Sequence, residues 1–128
     1  MTWKYERDET PRRKHQWDRD EPGFVEVNGV TVGKCPSSMT VARAEAALNS
    51  GYEYRPRRGW TADYPERIYA VLDGVVYRAT PTNPGVSYHG FPELREKFKD
   101  RREVRDAIME LAKRDGSEKE VSKWLSKA

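Results

Sequence analysis

Two dipeptides, Asn28-Gly29 and Asp73-Gly74, constrain the fold of this chain most strongly, because each stands between two segments rich in strand-forming residues. Asn, Asp and Gly tolerate the positive φ angles that a two-residue type I′ turn requires. Each dipeptide therefore predicts a β-hairpin in which the turn fixes the strand register. We expect the first hairpin to start at residue 24 and the second to span residues 68–80.

The register decides which face each side chain occupies, since successive residues of a strand point to opposite faces. In the first hairpin, one face carries four valines and is expected to be buried, while the other face is polar. In the second hairpin, one face is apolar and serves the core, whereas the other is mixed. The valines are Val25, Val27, Val30 and Val32; the apolar face has Ile68, Ala70, Leu72, Val75, Tyr77 and Ala79; the mixed face has Val71, Val76, Tyr69, Arg78, Arg67 and Thr80.

The segments around the hairpins are predicted to be largely helical. An alanine-rich helix should follow an N-cap at residue 37, 38 or 40 and stop at Gly51. A short strand at residues 52–54 leads into an exposed loop, and three helical segments follow residue 92, the last of them opened by a capping box at residues 117–120. These elements predict an α+β fold: an antiparallel sheet built from the two β-hairpins, with helices packed on one face and a helical C-terminus.

The first 22 residues differ in character from the rest of the chain. Acids and bases alternate there, and Trp3, Tyr5 and Trp17 are the only bulky anchors. Such a segment is typical of a solvating tail, although its tryptophans also allow a binding role. We therefore expect a disordered charged arm at residues 1–22 and a single α+β domain at residues 23–128, since 128 residues suit one hydrophobic core.

Composition narrows the classes of function. A net charge of +3 and a pI of about 9.0 permit a nucleic-acid partner without requiring one. The single cysteine, Cys35, has no intramolecular disulfide partner, and with two histidines there is no four-ligand zinc set. No apolar run is long enough to cross a bilayer. We expect a cytoplasmic protein with no membrane partner, no cofactor and no metal.

The strongest candidate site combines the mixed face of the second hairpin with the segment after it. Cleaving RNA without a metal needs a base, an acid and cations for the charge that develops on the phosphate. Histidine supplies proton transfer, arginine supplies the cation, and threonine or tyrosine orients the phosphate. The candidate catalytic residues are His89, Arg78 and Thr80, and the candidate nucleic-acid contacts beside them are Arg67, Tyr69 and Tyr88, with Tyr88-His89-Gly90 expected in a loop.

A second candidate surface lies in the loop after residue 54. Arg55, Arg57, Arg58 and Trp60 combine guanidinium groups for phosphates with an indole for base stacking. This combination is typical of single-strand contacts. An exposed loop whose arginines only face solvent is the alternative interpretation.

The order of hairpin, helix, strand and hairpin, with Arg78 and Thr80 on a strand and His89 after it, resembles the small metal-independent ribonuclease toxins of bacteria, the barnase, colicin and RelE-like group. The resemblance covers residues 24–91. It implies RNA cleavage in the cytoplasm, with His89, Arg78 and Thr80 in the site. The expected partners of the chain are RNA and a protein inhibitor or host protein. The alternative function is a non-enzymatic nucleic-acid-binding or protein-binding accessory module of the phage or mobile-element type.

Overall fold

A computed structural model describes residues 2–7, 14–56 and 58–128. Within these ranges the chain forms seven strands, three α-helices and one 3-10 helix. The strands are β1 (Lys4–Tyr5), β2 (Gly23–Val27), β3 (Val30–Lys34), β4 (Tyr52–Tyr54), β5 (Arg67–Leu72), β6 (Val75–Asn83) and β7 (Ser87–Pro92). The helices are α1 (Val41–Ser50), α2 (Arg102–Asp115) and α3 (Glu118–Leu125), and the 3-10 helix is Arg95–Phe98.

Five strands form the main sheet in the order β1-β7-β6-β5-β4. Strands β4 to β7 are antiparallel, and β1 runs parallel to β7 at the edge. Both predicted hairpin registers are confirmed: Val27 pairs with Val30 across the first turn, and Leu72 pairs with Val75 across the second. The turn residues have the positive φ angles that the sequence required, at 51° and 78° in the first turn and 50° and 79° in the second.

Helices cover both faces of the main sheet. Helix α1 packs with Ile68 and Ala79 on one face, whereas α2 and α3 cover Tyr69, Val71 and Val76 on the other. The α+β class and the helical C-terminus are confirmed, but the expectation of helices on one face is corrected. The mixed face carries Val71 and Val76 near the Asp73-Gly74 turn. Burial of these two apolar side chains requires helices on this face as well.

The first hairpin does not join the main sheet and forms a separate two-stranded sheet of β2 and β3. Strand β1, and not the first hairpin, pairs with the outer edge of β7. The four-valine face is therefore buried only at its open end: Val32 is 6% exposed, whereas Val27 is 51% and Val30 is 60% exposed. A side chain at position 33 would clash with the Pro92 carbonyl, so Gly33 lets the hairpin pack closely against the C-terminal end of β7.

The N-terminal segment is part of the fold wherever the structure describes it. Trp3 is 3% exposed, and its indole donates a hydrogen bond to Glu53 Oε2 at 2.9 Å. Further along, Gln16 forms a parallel bridge with Cys35. These contacts correct the expectation of a disordered arm for residues 2–7 and 14–22, while residues 8–13 lie outside the described ranges. A two-residue strand produces no sequence periodicity, which is why the pattern did not reveal it.

The segment Tyr88-His89-Gly90, which was expected in a loop, belongs to a strand that pairs with β6. Strand β6 continues through Pro81 to Asn83, with a register shift between those two residues, and β7 includes His89. Pro81 lies beyond the last β5 pair, Ile68 with Ala79, so its missing N–H removes no hydrogen bond to β5. The helical region accordingly begins later than residue 92, with the 3-10 helix. No helix in the described parts of the chain is long and apolar enough to cross a membrane.

Candidate functional site

A groove of about 540 Å³ lies between the β2–β3 hairpin and the face of β6 and β7 that carries Arg78, Thr80, His89 and Phe91. This volume falls within the range of small-molecule and nucleotide sites. One wall is formed by the hairpin, residues 29–33, and the floor by side chains that share one sheet face. The chemically functional residues that line it are Lys14, His15, Arg78, Thr80, His89, Glu93 and Lys97.

His89 lies on the floor of the groove between two threonines. It pairs directly with Thr80 in the β6–β7 register, and the distance from its Nε2 to Thr80 Oγ1 is 3.3 Å. Its Nδ1 lies 2.7 Å from Thr82 Oγ1. Both ring nitrogens thus exchange hydrogen bonds with hydroxyl groups that can donate or accept. The strand backbone and these contacts hold the imidazole in one orientation.

Arg78 occupies the neighbouring position of the same face. It pairs with Phe91, and its guanidinium carbon lies 5.0 Å from the centre of that ring. Its Nη1 lies 3.1 Å from Oε2 of Glu93, a side chain that is only 4% exposed. This contact is an ion pair without the alignment of a hydrogen bond, since Glu93 Oε2 and Arg78 Nε have no hydrogen-bond partner among the described residues. The guanidinium thus lies between the Phe91 ring and the Glu93 carboxylate, and the Arg78 side chain is 22% exposed where it lines the groove.

His15 approaches the same face from the N-terminal segment. Its ring stacks on Phe91 with the centres 4.4 Å apart, and it lies 5.7 Å from the ring of His89. Burial lowers the pKa of His15 to about 4; the bond to the Gly33 carbonyl opposes this, and the nearby positive charges add to it. His15 is absent from the predicted site residues, because 74 positions separate it from His89 and no local pattern links the two.

The low pKa of His15 makes the stability of the protein depend on pH. The unfolded chain takes up this proton near pH 6.5 and the folded chain near 4, so folding becomes less favourable as the pH falls between those values. The His15→Asn variant cannot take up this proton, so we expect it to lose about 1 to 2 kcal/mol less of its free energy of unfolding than the wild-type protein does over this pH range. This figure is smaller than the full pKa difference would give, because the ring is partly exposed. Urea denaturation of both proteins at pH 4, 5, 6 and 7 measures the difference. If the free energies of unfolding of the two proteins differ by the same amount at every pH, the low pKa of His15 is contradicted.

Three of the predicted contact residues do not line the groove. Tyr88 is 0% exposed, and its hydroxyl donates to the Pro65 carbonyl at 2.5 Å. It follows the two-residue period of the strand and points away from His89. Tyr69 is 2% exposed and packs edge-on against Phe98. Arg67 forms an ion pair with Glu66 at 3.3 Å. The predicted roles of Tyr69 and Tyr88 as nucleic-acid contacts are therefore corrected.

The arginine-rich loop is only partly available for binding. Arg55 and Arg58 are exposed, and Arg55 forms an ion pair with Glu53 at 3.1 Å. The Trp60 indole donates to the Tyr64 carbonyl at 2.7 Å and packs edge-on against the Tyr64 ring. Arg57 lies outside the described residues. None of the described residues of this loop lines the groove, so among those residues the two predicted surfaces are separate.

Cysteine and metal chemistry find no support in the described part of the chain. Cys35 is 8% exposed, and burial raises the pKa of its thiol to about 11, so it is protonated at neutral pH. No group of three or more His, Cys, Asp or Glu side chains there has the geometry to hold a metal ion. The side chains that line the groove offer proton transfer by His15 and His89 and charge stabilisation by Arg78.

Comparison of the chain with protein-family models, with curated proteins and with solved structures found no match. The resemblance to ribonuclease toxins thus remains an interpretation of element order and residue types. The function proposed for this chain depends on the chemistry of the groove.

Proposed function

We propose that this chain binds RNA in the groove and cleaves it without a metal, with His89 as a proton-transfer group. The observation that supports this most is the position of His89 between two threonine hydroxyls, on the same sheet face as Arg78. An imidazole that is held in place beside a guanidinium provides both proton transfer and a cation for a phosphate.

The reaction needs few groups. The 2′-oxygen of a ribose attacks the adjacent phosphorus, a bond between them forms, and the bond from phosphorus to the 5′-oxygen of the next nucleotide breaks. One proton leaves the 2′-hydroxyl and one is delivered to the departing 5′-oxygen, so the products are a 2′,3′-cyclic phosphate and a 5′-hydroxyl. His89 serves one of these transfers, and Arg78 stabilises the charge on the phosphate.

Cations around the groove favour an anionic ligand. Lys14 and Lys97 line it and are exposed, while Arg78 is partly neutralised by Glu93. The lysines attract the phosphate backbone without reading its sequence. Binding should accordingly be dependent on salt and tolerant of sequence.

His89→Ala tests the proposal. The wild-type chain is incubated with an end-labelled single-stranded RNA in the presence of a chelator, and formation of the 2′,3′-cyclic phosphate is followed. We expect the variant to lower kcat/KM about 100-fold, since a positioned proton-transfer group contributes that much. The melting temperature should change little, because His89 is half-exposed.

Ser50→Ala serves as the control, since it removes an exposed hydroxyl group from α1 and does not line the groove, so its kcat/KM should equal that of the wild-type protein. Wild-type protein that binds RNA but never cleaves it would favour the binding-module alternative. A His89→Ala variant that unfolds would instead make His89 a packing residue.

The salt dependence of RNA binding distinguishes the groove from the arginine-rich loop. We expect Lys14→Ser with Lys97→Ser to reduce the slope of log K against log salt by about 1.4, the value for two lost phosphate contacts on a single strand. Arg55→Ser with Arg58→Ser makes the same change in net charge and should leave the slope nearly unaltered. Fluorescence anisotropy at several salt concentrations measures both. The reverse result would place the RNA on the loop.

The binding-module alternative is supported by a specific observation, the exposed apolar tip of the first hairpin. Val27 and Val30, which pair directly beside the turn, are 51% and 60% exposed. Apolar side chains displayed in this way are typical of contact surfaces. A nucleic-acid-binding or protein-binding accessory role would use this tip and would need no proton transfer by His89.

A further inference from the structure

Two imidazole rings meet at the groove from distant parts of the chain. His15 and His89 have ring centres 5.7 Å apart, and their planes differ by 19°. His15 also stacks on Phe91 at 4.4 Å, so an aromatic ring on the sheet fixes the plane of the imidazole. Two groups that transfer protons are thus close enough to act on one phosphodiester.

The hydrogen bond of His15 determines which of its nitrogens can accept a proton. Nδ1 lies 2.8 Å from the Gly33 carbonyl oxygen, which can only accept a hydrogen bond. Nδ1 therefore carries the hydrogen of the neutral ring, and Nε2 keeps its lone pair. This tautomer is the one that a general base in the groove requires.

The surroundings of His15 keep this ring neutral. Partial burial and neighbouring cations both oppose protonation, consistent with a pKa of about 4. The ring also lines a neighbouring cavity of about 60 Å³, too small for a nucleotide. Lys14 beside it, Lys34 on β3 and His89 on β7 act on the charge of His15. The other titratable or charged groups near it are those that line the smaller cavity with it, Tyr5, Glu6, Arg7 and Cys35, and Arg78 in the groove.

We propose that His15 is the second catalytic residue of the groove, the base that accepts the 2′-hydroxyl proton on Nε2 while His89 protonates the departing 5′-oxygen. This inference rests on the proposed RNA cleavage. One proton enters His15 and one leaves His89 as the bond from the 2′-oxygen to phosphorus forms and the bond to the 5′-oxygen breaks. The cyclic phosphate is then released, and exchange with water restores both rings.

His15→Asn is the first test, because asparagine retains a donor that can reach the Gly33 carbonyl but provides no base. We expect kcat to fall about 100-fold while KM remains within about threefold, since phosphate binding depends on Arg78 and the lysines. The pH profile of kcat/KM should also lose its acidic limb, which we expect near the pKa of His15 in the wild-type protein.

Chemical rescue is the second test and separates catalysis from packing. His15→Ala should regain activity when imidazole is added, and the rescued rate should rise with the pKa of a series of substituted imidazoles of similar size. If the rescued rate does not depend on the pKa of the added imidazole, the inference is overturned and His15 is a structural residue.

The two proposals fail in different ways. Wild-type protein that binds RNA without cleaving it would overturn both the ribonuclease function and the role of His15. Wild-type protein that cleaves RNA, together with a folded His15→Asn variant whose kcat and pH profile are unchanged, would overturn the role of His15 alone. Thermal denaturation of each variant verifies that loss of activity is not loss of fold.

Discussion

Trp3→Ala should lower the free energy of unfolding by about 3 to 5 kcal/mol, the cost of removing a buried large aromatic side chain. Trp3 is 3% exposed, packs edge-on against Tyr88 with ring centres 5.6 Å apart, and donates its indole hydrogen to Glu53. The substitution leaves a cavity between the sheet and α1 and removes the hydrogen bond to the Glu53 carboxylate, which water can replace because that side chain is 39% exposed. Urea denaturation, followed by tyrosine and tryptophan fluorescence, measures the loss.

Trp17→Ala is the matched control within the same N-terminal segment. Trp17 is half-buried, and its indole bonds the nearby Glu21 carbonyl. We expect a smaller loss, about 1 to 2 kcal/mol, because less apolar surface leaves water at this position. If both substitutions leave stability unchanged, the first residues of the chain would be a disordered arm as the sequence pattern indicated.

Arg78→Met should destabilise the protein by about 3 to 5 kcal/mol, because it leaves the Glu93 carboxylate buried without its cation. Glu93 is 4% exposed, and the Arg78 side chain is 22% exposed. The double variant Arg78→Met with Glu93→Gln should recover most of the loss, since the uncompensated charge is then gone. A thermodynamic cycle over the four proteins measures the coupling of the pair.

Arg43→Met provides the comparison for this pair. Arg43 and Asp73 also form an ion pair, but their side chains are 44% and 76% exposed. We expect a loss below about 1 kcal/mol there, as for other solvent-exposed pairs. Equal effects at the two sites would mean that Glu93 is hydrated in solution. Activity assays should use Arg78→Lys, which keeps the buried charge compensated.

Local features of the fold were predictable because they depend on neighbouring residues. Thr40 was one of three predicted N-caps, and its hydroxyl accepts a hydrogen bond from the Arg43 amide at 3.1 Å. Helix α2 ends at Gly116 with φ of 80°, a conformation that favours glycine. The predicted capping box at Ser117 is absent, since its hydroxyl bonds Asp115 instead. That carboxylate also accepts the amides of the Asp73-Gly74 turn, a contact made across the fold.

The candidate site was predictable only in part. The Asp73-Gly74 turn placed Arg78 and Thr80 on one face, and the structure brings His89 to the same face. The interpretation of His89 as a loop residue was wrong because strand β7 has too few apolar residues to show a strand pattern. Glu93 and His15 were missed, because an acid before a helix and a histidine in a charged segment have no distinctive local signal.

The sequence by itself determined the two hairpins, their registers, and the residues that share each strand face. These follow from the φ angles that Asn, Asp and Gly tolerate and from the two-residue period of a strand, both of which act within a few residues. Only the tertiary structure decided that β1 occupies the edge of β7, that Trp3 belongs to the core, and that His15 lies beside His89. Those contacts join residues that are 46 to 85 positions apart in the sequence. Burial of apolar surface selects among such distant pairings, and because it has no preferred direction it depends on the whole chain.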